Sequence, residues 1–257
     1  MDRPRFTVTY NGVQSTLTAY HEEDEISGPW KKGKFYDERL LNRIAWHSDK
    51  GTIRPGAYLD IGANVGNHSV FFGRHTNATA VVAVEMSPVL FPILEENLVR
   101  NLTWNWKAIQ SCVMEKPLSY VCVGLPPPRN SGKSEVLQAV GAPLFDEINA
   151  KGGLVHNWVP STTIDQIANE IAEEFRGPIS FIKLDIERME IPALEGARRT
   201  ICEHRPVLAV ECQDKRMLRK TNDLLSRFRY ILFAGACDSV YMWKPGSGER
   251  LEASRLR

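Results

Sequence analysis

The chain has 257 residues, 43% of them hydrophobic and 25% charged, with a formal net charge of +1. This is ordinary globular composition, enough for one large or two small domains. No apolar run approaches ~18 residues, so no membrane insertion is expected, and the balanced charge disfavours nucleic acid as the main partner.

The N-terminal MDRPRFTVTYNG has no apolar signal-peptide core, which predicts a cytoplasmic protein. Five dispersed cysteines without a C-x-x-C pair (Cys112, Cys122, Cys202, Cys212, Cys237) suit buried free thiols. Phe6 to Ala19 alternates polar and apolar residues around Asn11-Gly12 and predicts a β-hairpin. The acidic run Glu22–Glu25 is expected as a solvated loop, and Trp30–Lys34 as a mobile connector. A helical stripe follows at Phe35, Leu40, Leu41 and Ile44, so residues 1–50 are expected to cap the main domain, 51–257.

Ala57 to Phe72, AYLDIGANVGNHSVFF, is the stretch around which the rest is organised. An apolar run ends at Asp60, breaks at Gly62 and Gly66, and resumes with helical spacing, the opening of a nucleotide-binding βα unit. Gly62 allows the sharp turn, Gly66 lets the helix pack closely, and the helix N-terminus presents backbone N–H groups to a ligand. Ala80–Glu85 is the next strand, with a helix starting at Ser87-Pro88 and kinked at Pro92; Lys107–Val113 is a weaker strand. Residues 114–160 form a long irregular insertion, of the kind that serves as a lid. Its Gly132-Lys133-Ser134 lacks an upstream glycine at phosphate-loop distance. Helix at 162–174, strand at 179–187, helix through Ile191–Ile201, strand at 206–211 and helix at 217–228 alternate, predicting a mostly parallel sheet covered on both faces. Two short strands, Tyr230–Phe233 and Val240–Trp243, close the chain around a turn at Gly235 and are expected to pair antiparallel at one edge.

Four predicted strands end in acids: Asp60, Glu85, Asp185 with Glu187, and Glu211. At the carboxyl ends of a parallel sheet they converge on one crevice. Glu85 stands near the ~20-residue offset of a ribose-binding acid, and its two oxygens match two hydroxyl donors. The turn has Asn64 where G-x-G-x-x-G has its middle glycine, which weakens a nicotinamide cofactor and favours a ligand without pyrophosphate, such as S-adenosylmethionine. Asp60 would favour the cationic amino-acid end of that ligand.

YLDIGANVGNHSVFF, AVEMSPVLFPILEENLVRN, STTIDQI, FIKLDIERMEIPALEGA and RPVLAVE, in this order across residues 57–211, resemble the FkbM family of S-adenosylmethionine-dependent methyltransferases. The preceding GKFYDERLLNRI resembles the leader of bacterial members. The resemblance implies a Rossmann-like α/β fold with a seven-stranded, mostly parallel sheet, helices on both faces and one antiparallel edge strand. It implies cofactor binding by Asp60, Gly62, Ala63, Asn64, Gly66, Asn67, Glu85, Met86 and Asp185. It places Asp185, Glu187 and Glu190 in a D-x-E-G-x-E motif beside the reacting centre, with Arg188 where the family has glycine. Either the backbone at Arg188 is ordinary, or its side chain pairs Glu187 or an acidic substrate group; a degraded site is the third possibility. The implied acceptor is a hydroxyl on a natural product or glycan, with amide nitrogen in some members.

Such a transfer needs a group to take the acceptor's proton. Asp185 and Glu187 are the first candidates, followed by His68 past the glycine turn and His156 in the insertion. Asp185 and Glu187 are also the pair that would share a divalent metal such as magnesium, although no clear metal motif is present. Trp104, Trp106 and Trp158 are candidates for stacking on adenine or an aromatic substrate. An RNA methyltransferase, a non-catalytic methyltransferase-like module and a nicotinamide oxidoreductase are the competing readings.

Overall fold

A computed structural model describes residues 3–118, 120–127, 129–132, 136–140, 157–237 and 239–247. The predicted hairpin is present as β1 (Arg5–Tyr10) and β2 (Val13–Thr18), paired antiparallel across Asn11-Gly12. A helical turn, α1 (Ser27–Trp30), and helix α2 (Glu38–Asp49) follow. Then come β3 (Gly56–Ile61), α3 (Asn67–His75), β4 (Ala78–Glu85), α4 (Phe91–Asn101) and β5 (Trp106–Gln110). The expected strand Lys107–Val113 is split: its end forms β6 (Cys112–Val113), which joins β7 (Tyr120–Val123), β8 (Val136–Val140) and β9 (Trp158–Thr162) in a small sheet in the order β6-β9-β7-β8. The chain continues through α5 (Ile164–Ala172), β10 (Ile179–Leu184), α6 (Glu190–Glu195), α7 (Arg198–His204) and β11 (Val207–Glu211). It closes with α8 (Lys215–Arg227), β12 (Tyr230–Cys237) and β13 (Val240–Pro245).

The main sheet has seven strands in the order β12-β13-β11-β10-β3-β4-β5. Its five central strands, β11 to β5, pair parallel. The two closing strands do pair antiparallel at one edge, but the reversed strand, β13, is second from that edge, between β11 and β12. Successive strand residues face opposite layers. Tyr58, Val81 and Phe181 pack with α2, α3, α4 and the hairpin, while Leu59, Val82 and Ile182 pack with α5 to α8. Both faces are buried, which is why these strands read as unbroken apolar runs.

Local chemistry corrects several expectations. The helix after β4 starts at Phe91 rather than at Ser87-Pro88, so Pro92 falls in its first turn, where no intrahelical partner is needed and no kink follows. The stripe from Ile191 to Ile201 is two helices parted at Gly196, where a Cβ would lie 2.3 Å from the Met114 carbonyl oxygen. Gly235 lies within β12, not in the turn. Trp30 is not in a mobile connector: it is 1% exposed and its indole donates to Asn67 Oδ1 at 2.9 Å. Cys112, Cys202, Cys212 and Cys237 are buried free thiols and Cys122 is half-buried. Among the described residues no helix is long and apolar enough to cross a membrane.

Candidate functional site

Strand order reverses between β3 and β10, and a cavity of about 340 Å³ opens beyond the carboxyl ends of β3, β4, β10 and β11 there. Ile61, Glu85, Lys183, Asp185 and Glu211 line its floor. The floor depends on Gly62, at φ +82°, because a Cβ would sit 1.9 Å from the Asp185 carbonyl oxygen. Gly66, at φ +89°, has the close packing expected of it: a Cβ would lie 2.9 Å from Leu94 Cδ1 of α4.

The amides of this turn are spent within the protein rather than offered to a ligand. Gly62 and Ala63 both donate to the Val84 carbonyl at 2.9 Å, Val65 to Asn64 Oδ1 at 2.7 Å, and Gly66 to the Ala63 carbonyl at 2.8 Å. Asn64, at φ +52°, donates its amide to Glu85 Oε2 at 2.8 Å, and the Ser87 amide donates to Glu85 Oε1 at 2.7 Å. Each Glu85 oxygen keeps a lone pair for a further donor. Burial pushes this carboxyl up to about 6, against the two amide hydrogen bonds.

Asp60 does not line the cavity. It is fully buried beneath it, accepting from Ser69 Oγ at 2.6 Å and lying 3.4 Å from Lys183 Nζ. Lys183, 1% exposed, also reaches Asp185 Oδ2 at 3.1 Å. Burial opposes the ammonium charge, but Asp185 and Asp60 outweigh it and hold Lys183 above the ordinary lysine range. Burial likewise opposes the Asp185 charge, and Lys183 and His68 hold that carboxyl below the usual range. Lys183 thus ties two strand-end acids together. A lysine at the penultimate position of an apolar strand, FIKLD, was the available signal for it.

The turn after β10 carries two consecutive non-glycine residues at positive φ, Glu187 (+48°) and Arg188 (+73°). Arg188 therefore stands in the left-handed region that favours glycine, and the ordinary-backbone reading is excluded. Its guanidinium, exposed, meets Gln213 Oε1 at 3.4 Å, and Gln213 Nε2 donates to Glu187 Oε2 at 3.2 Å. Glu190 turns away from the cavity: it is 1% exposed and accepts the Ile186 amide at 3.1 Å, closing the turn from beneath. Burial raises its carboxyl. Glu211 does line the cavity, and burial with the neighbouring Asp185 and Glu190 pushes it up to about 8.

Asn67 and Ala63 also fall outside the cavity lining. Asn67 Oδ1 accepts from the Trp30 indole and the Tyr36 amide, and its Nδ2 donates to the Tyr36 carbonyl at 3.0 Å. Ala63 is packed into the core. Met86 lines the cavity and packs against the Cys112–Val121 cluster. Burial pushes Cys112, on the same wall, up to about 12, so it is a neutral thiol there.

The roof comes from residues 129–132, within the expected lid region, and from the acidic run expected as a solvated loop. Asp24 is 2% exposed and accepts from Ser131 N and Ser131 Oγ, each at 2.8 Å. The Glu25 amide donates to the Arg129 carbonyl at 3.2 Å, and Asn130 Nδ2 donates to Glu25 Oε2 at 3.1 Å. The acidic run is therefore the docking point for residues 129–132, and both segments line the cavity mouth. Tyr36, Asp37 and His68 complete the wall, with His68 Nε2 3.5 Å from Asp37 Oδ2. Trp104, Trp106 and Trp158 are not among the lining residues. His156, Lys133 and Ser134 lie outside the described residues. Among those described, no group of three or more His, Cys, Asp or Glu side chains is placed to hold a metal.

The sequence profile of the methyltransferase FkbM domain matches residues 60–232, more than half of the chain. The chain belongs to the FkbM methyltransferase family. Its mostly parallel α/β sheet has the doubly wound, Rossmann-like strand order. Similar solved structures include an FkbM methyltransferase from Methylobacillus flagellatus, 20% identical over 76% of this chain and 45% of that one, with a TM-score of 0.46. Others are a putative RNA methyltransferase from Pyrococcus horikoshii (12% identical, 81% and 85% covered, TM-score 0.44) and M. capricolum TrmK with S-adenosylhomocysteine (11%, 84% and 73%, 0.43). The chain thus spans less than half the length of the Methylobacillus protein. No curated protein matches it. The glycine turn and the Asp185–Glu190 segment meet at one floor, with Lys183 between Asp60 and Asp185.

Proposed function

We propose that this FkbM-family chain is an S-adenosylmethionine-dependent methyltransferase acting on a hydroxyl of a small-molecule natural product or glycan. The observation that carries it is Glu85, held at the end of β4 by two amides with a lone pair left on each oxygen, beside the apolar wall of Met86, Cys112 and Val113. That pair of acceptor oxygens fits the two hydroxyl donors of a ribose diol next to a flat base. Asp185 would accept from the ligand's ammonium group, while Asp60 acts from below by holding Lys183 in place. When bound, the cofactor supplies a methyl group already activated on a sulfonium.

The protein's own work is to orient the acceptor and take one proton. Asp185, held low by Lys183, is a weak base; Glu190 is turned away; the proton falls to Glu187 or His68. Carboxylates of Glu25, Asp37 and Glu187 around the cavity repel polyanions, which favours a small acceptor over RNA.

Calorimetric titration with S-adenosylmethionine and NAD tests the cofactor. Glu85→Ala should weaken S-adenosylmethionine binding by about tenfold or more, the value of one lost charge-assisted interaction. Binding of NAD instead would overturn the reading. Tight S-adenosylmethionine binding with no methylated product across a panel of glycans and hydroxylated natural products, read by mass spectrometry, would leave only a non-catalytic module.

A further inference from the structure

Resting on that reading, we infer that Asp37, supplied by the N-terminal segment outside the family match, pairs with His68 to form the proton-accepting dyad, His68 as catalytic base and Asp37 as positioning residue. The two side chains come from different elements, Asp37 from the residue before α2 and His68 from α3. His68 is on the first turn of α3 with 8% of its side chain exposed, and its Nε2 is buried without an aligned hydrogen bond, 3.5 Å from Asp37 Oδ2. Long contacts of this kind tighten when a site closes on its substrate.

Three observations mark the pair as built. Asp37 is the N-cap residue of α2, in a left-handed conformation that aspartate tolerates, yet its side chain caps no amide of that helix and faces His68 instead. The residues next to each partner are tied together: Asn67, adjacent to His68, holds both the amide and the carbonyl of Tyr36, adjacent to Asp37, at 3.0 Å. The Trp30 indole on the same Asn67 oxygen removes its remaining freedom. A side chain spent in this way makes no contribution to a ligand but fixes the separation of its two neighbours.

The other groups around the imidazole are consistent with the role. The Tyr36 ring packs edge-on to it at 6.5 Å, and burial with nearby Asp37, Glu25 and Asp185 raises the Tyr36 phenol, so that neighbour stays neutral. Asp185 is the second carboxylate that interacts with His68, and Lys183 already compensates its charge. Asp37 is left as the partner for a ring proton. With Nε2–H toward Asp37, the neutral ring carries its lone pair on Nδ1. The acceptor hydroxyl gives its proton to the imidazole as its oxygen bonds to the methyl carbon. The carbon–sulfur bond breaks with its electron pair on sulfur, and the imidazolium, balanced by Asp37, later loses the proton to water.

Asp37→Asn is the decisive variant, because asparagine keeps the shape and tolerates the left-handed backbone. Without the carboxylate charge the preference for a proton on Nε2 is lost, because an amide can face the ring with its oxygen or its nitrogen, and the Nδ1–H tautomer should gain population. ¹⁵N NMR of labelled imidazole should show mainly the Nε2–H tautomer of His68 in the parent and a gain of the Nδ1–H tautomer in the variant. In turnover, kcat should fall about 10- to 100-fold, with the S-adenosylmethionine Kd and acceptor KM within about twofold, and His68→Gln should lower kcat by about 100-fold or more. An unchanged tautomer population, or an unchanged kcat in either variant, overturns the dyad. The NMR measurement needs no cofactor, so failure of the methyltransferase reading would show separately, as absent S-adenosylmethionine binding.

Discussion

The floor of the cavity is an extension of the parallel sheet, whereas its roof is fastened by a handful of side-chain bonds. In the floor and just beneath it, Lys183 and Asp60 are fixed by strand register, opposite each other in the β10–β3 pairing, and the Asp185 amide donates to the Ile61 carbonyl at 3.1 Å. On the roof, Glu25 and Asn130 are brought together by the Asp24–Ser131 clasp and one backbone hydrogen bond. A substitution in the floor must therefore disturb the fold as well as the site, while one in the roof can change access and leave the sheet intact. Under the proposed function, the floor is the cofactor side, built into the domain, and the roof is the acceptor side, which can vary on the same domain.

The hardest way to break the comparison is Gly62→Ala. The added Cβ meets backbone rather than a movable side chain, and φ +82° is strained for alanine. A loss of about 4 kcal/mol or outright failure to fold is expected from the urea midpoint; a soluble variant of parent stability would show the floor to be soft. Next comes Lys183→Met, which leaves Asp60 buried without its cation and should cost about 3 kcal/mol. Adding Asp60→Asn should cost less than the sum of the single changes, because the two groups share one interaction. Strict additivity in urea unfolding would deny that coupling.

The same division explains what the sequence disclosed. Floor residues sit where period and punctuation are strongest: apolar strands, two glycines and acids at strand ends make Asp60, Gly62, Glu85 and Asp185 visible. Which way each acid turns was not visible. Asp60 and Glu190 go under the floor and Glu85 faces the cavity, because that choice depends on Lys183 and on which amides are free, both set by strands far apart in sequence. The roof left almost no pattern, since Asp24 and Ser131 meet across 107 positions and neither has a periodic neighbour to mark it. The family resemblance counts Asn67 among the ligand contacts, yet its bonds go to Trp30 and Tyr36.

Glu211 gives a pH test of the floor. Its carboxyl would ionise from about 4.5 upward in the unfolded chain but holds its proton to about 8 when folded. The folded state therefore binds more protons between these values, and stability falls as pH rises through that window. The contribution is complete below about 4.5 and gone above about 8. Glu211→Gln should narrow the loss, so its thermal midpoint should gain on the parent's as pH goes from 6 to 9. Parallel curves would mean that Glu211 does not carry the charge clash with Asp185. For the roof, Asp24→Ala should cost only about 1 kcal/mol in urea, since opening lets water satisfy the Ser131 donors. Proteolysis near residues 129–132 should quicken and acceptor KM should rise, with the S-adenosylmethionine Kd held within about twofold. A collapse of cofactor binding would merge roof and floor into one unit.

The smallest effect is expected where the two regions meet. Glu187 lies on the floor turn, and a Cβ on Gly132 of the roof would approach its Oε1 to 3.9 Å. Beside it, Arg188 holds a left-handed backbone at φ +73° with an exposed side chain whose hydrogen bond, to Gln213, is long at 3.4 Å. Arg188→Gly relieves strain of about 1 kcal/mol and gives up that weak bond, while glycine's freedom in the unfolded chain offsets part of the gain. The net stabilisation should be about 0.5 kcal/mol, a rise of about 1–2 °C by calorimetry. Gln213 would lose its second partner and hold Glu187 less firmly, so acceptor KM should rise although the protein is more stable. If stability instead falls, the guanidinium is part of the floor; if KM stays put, Glu187 needs no bracing and the junction belongs wholly to the sheet.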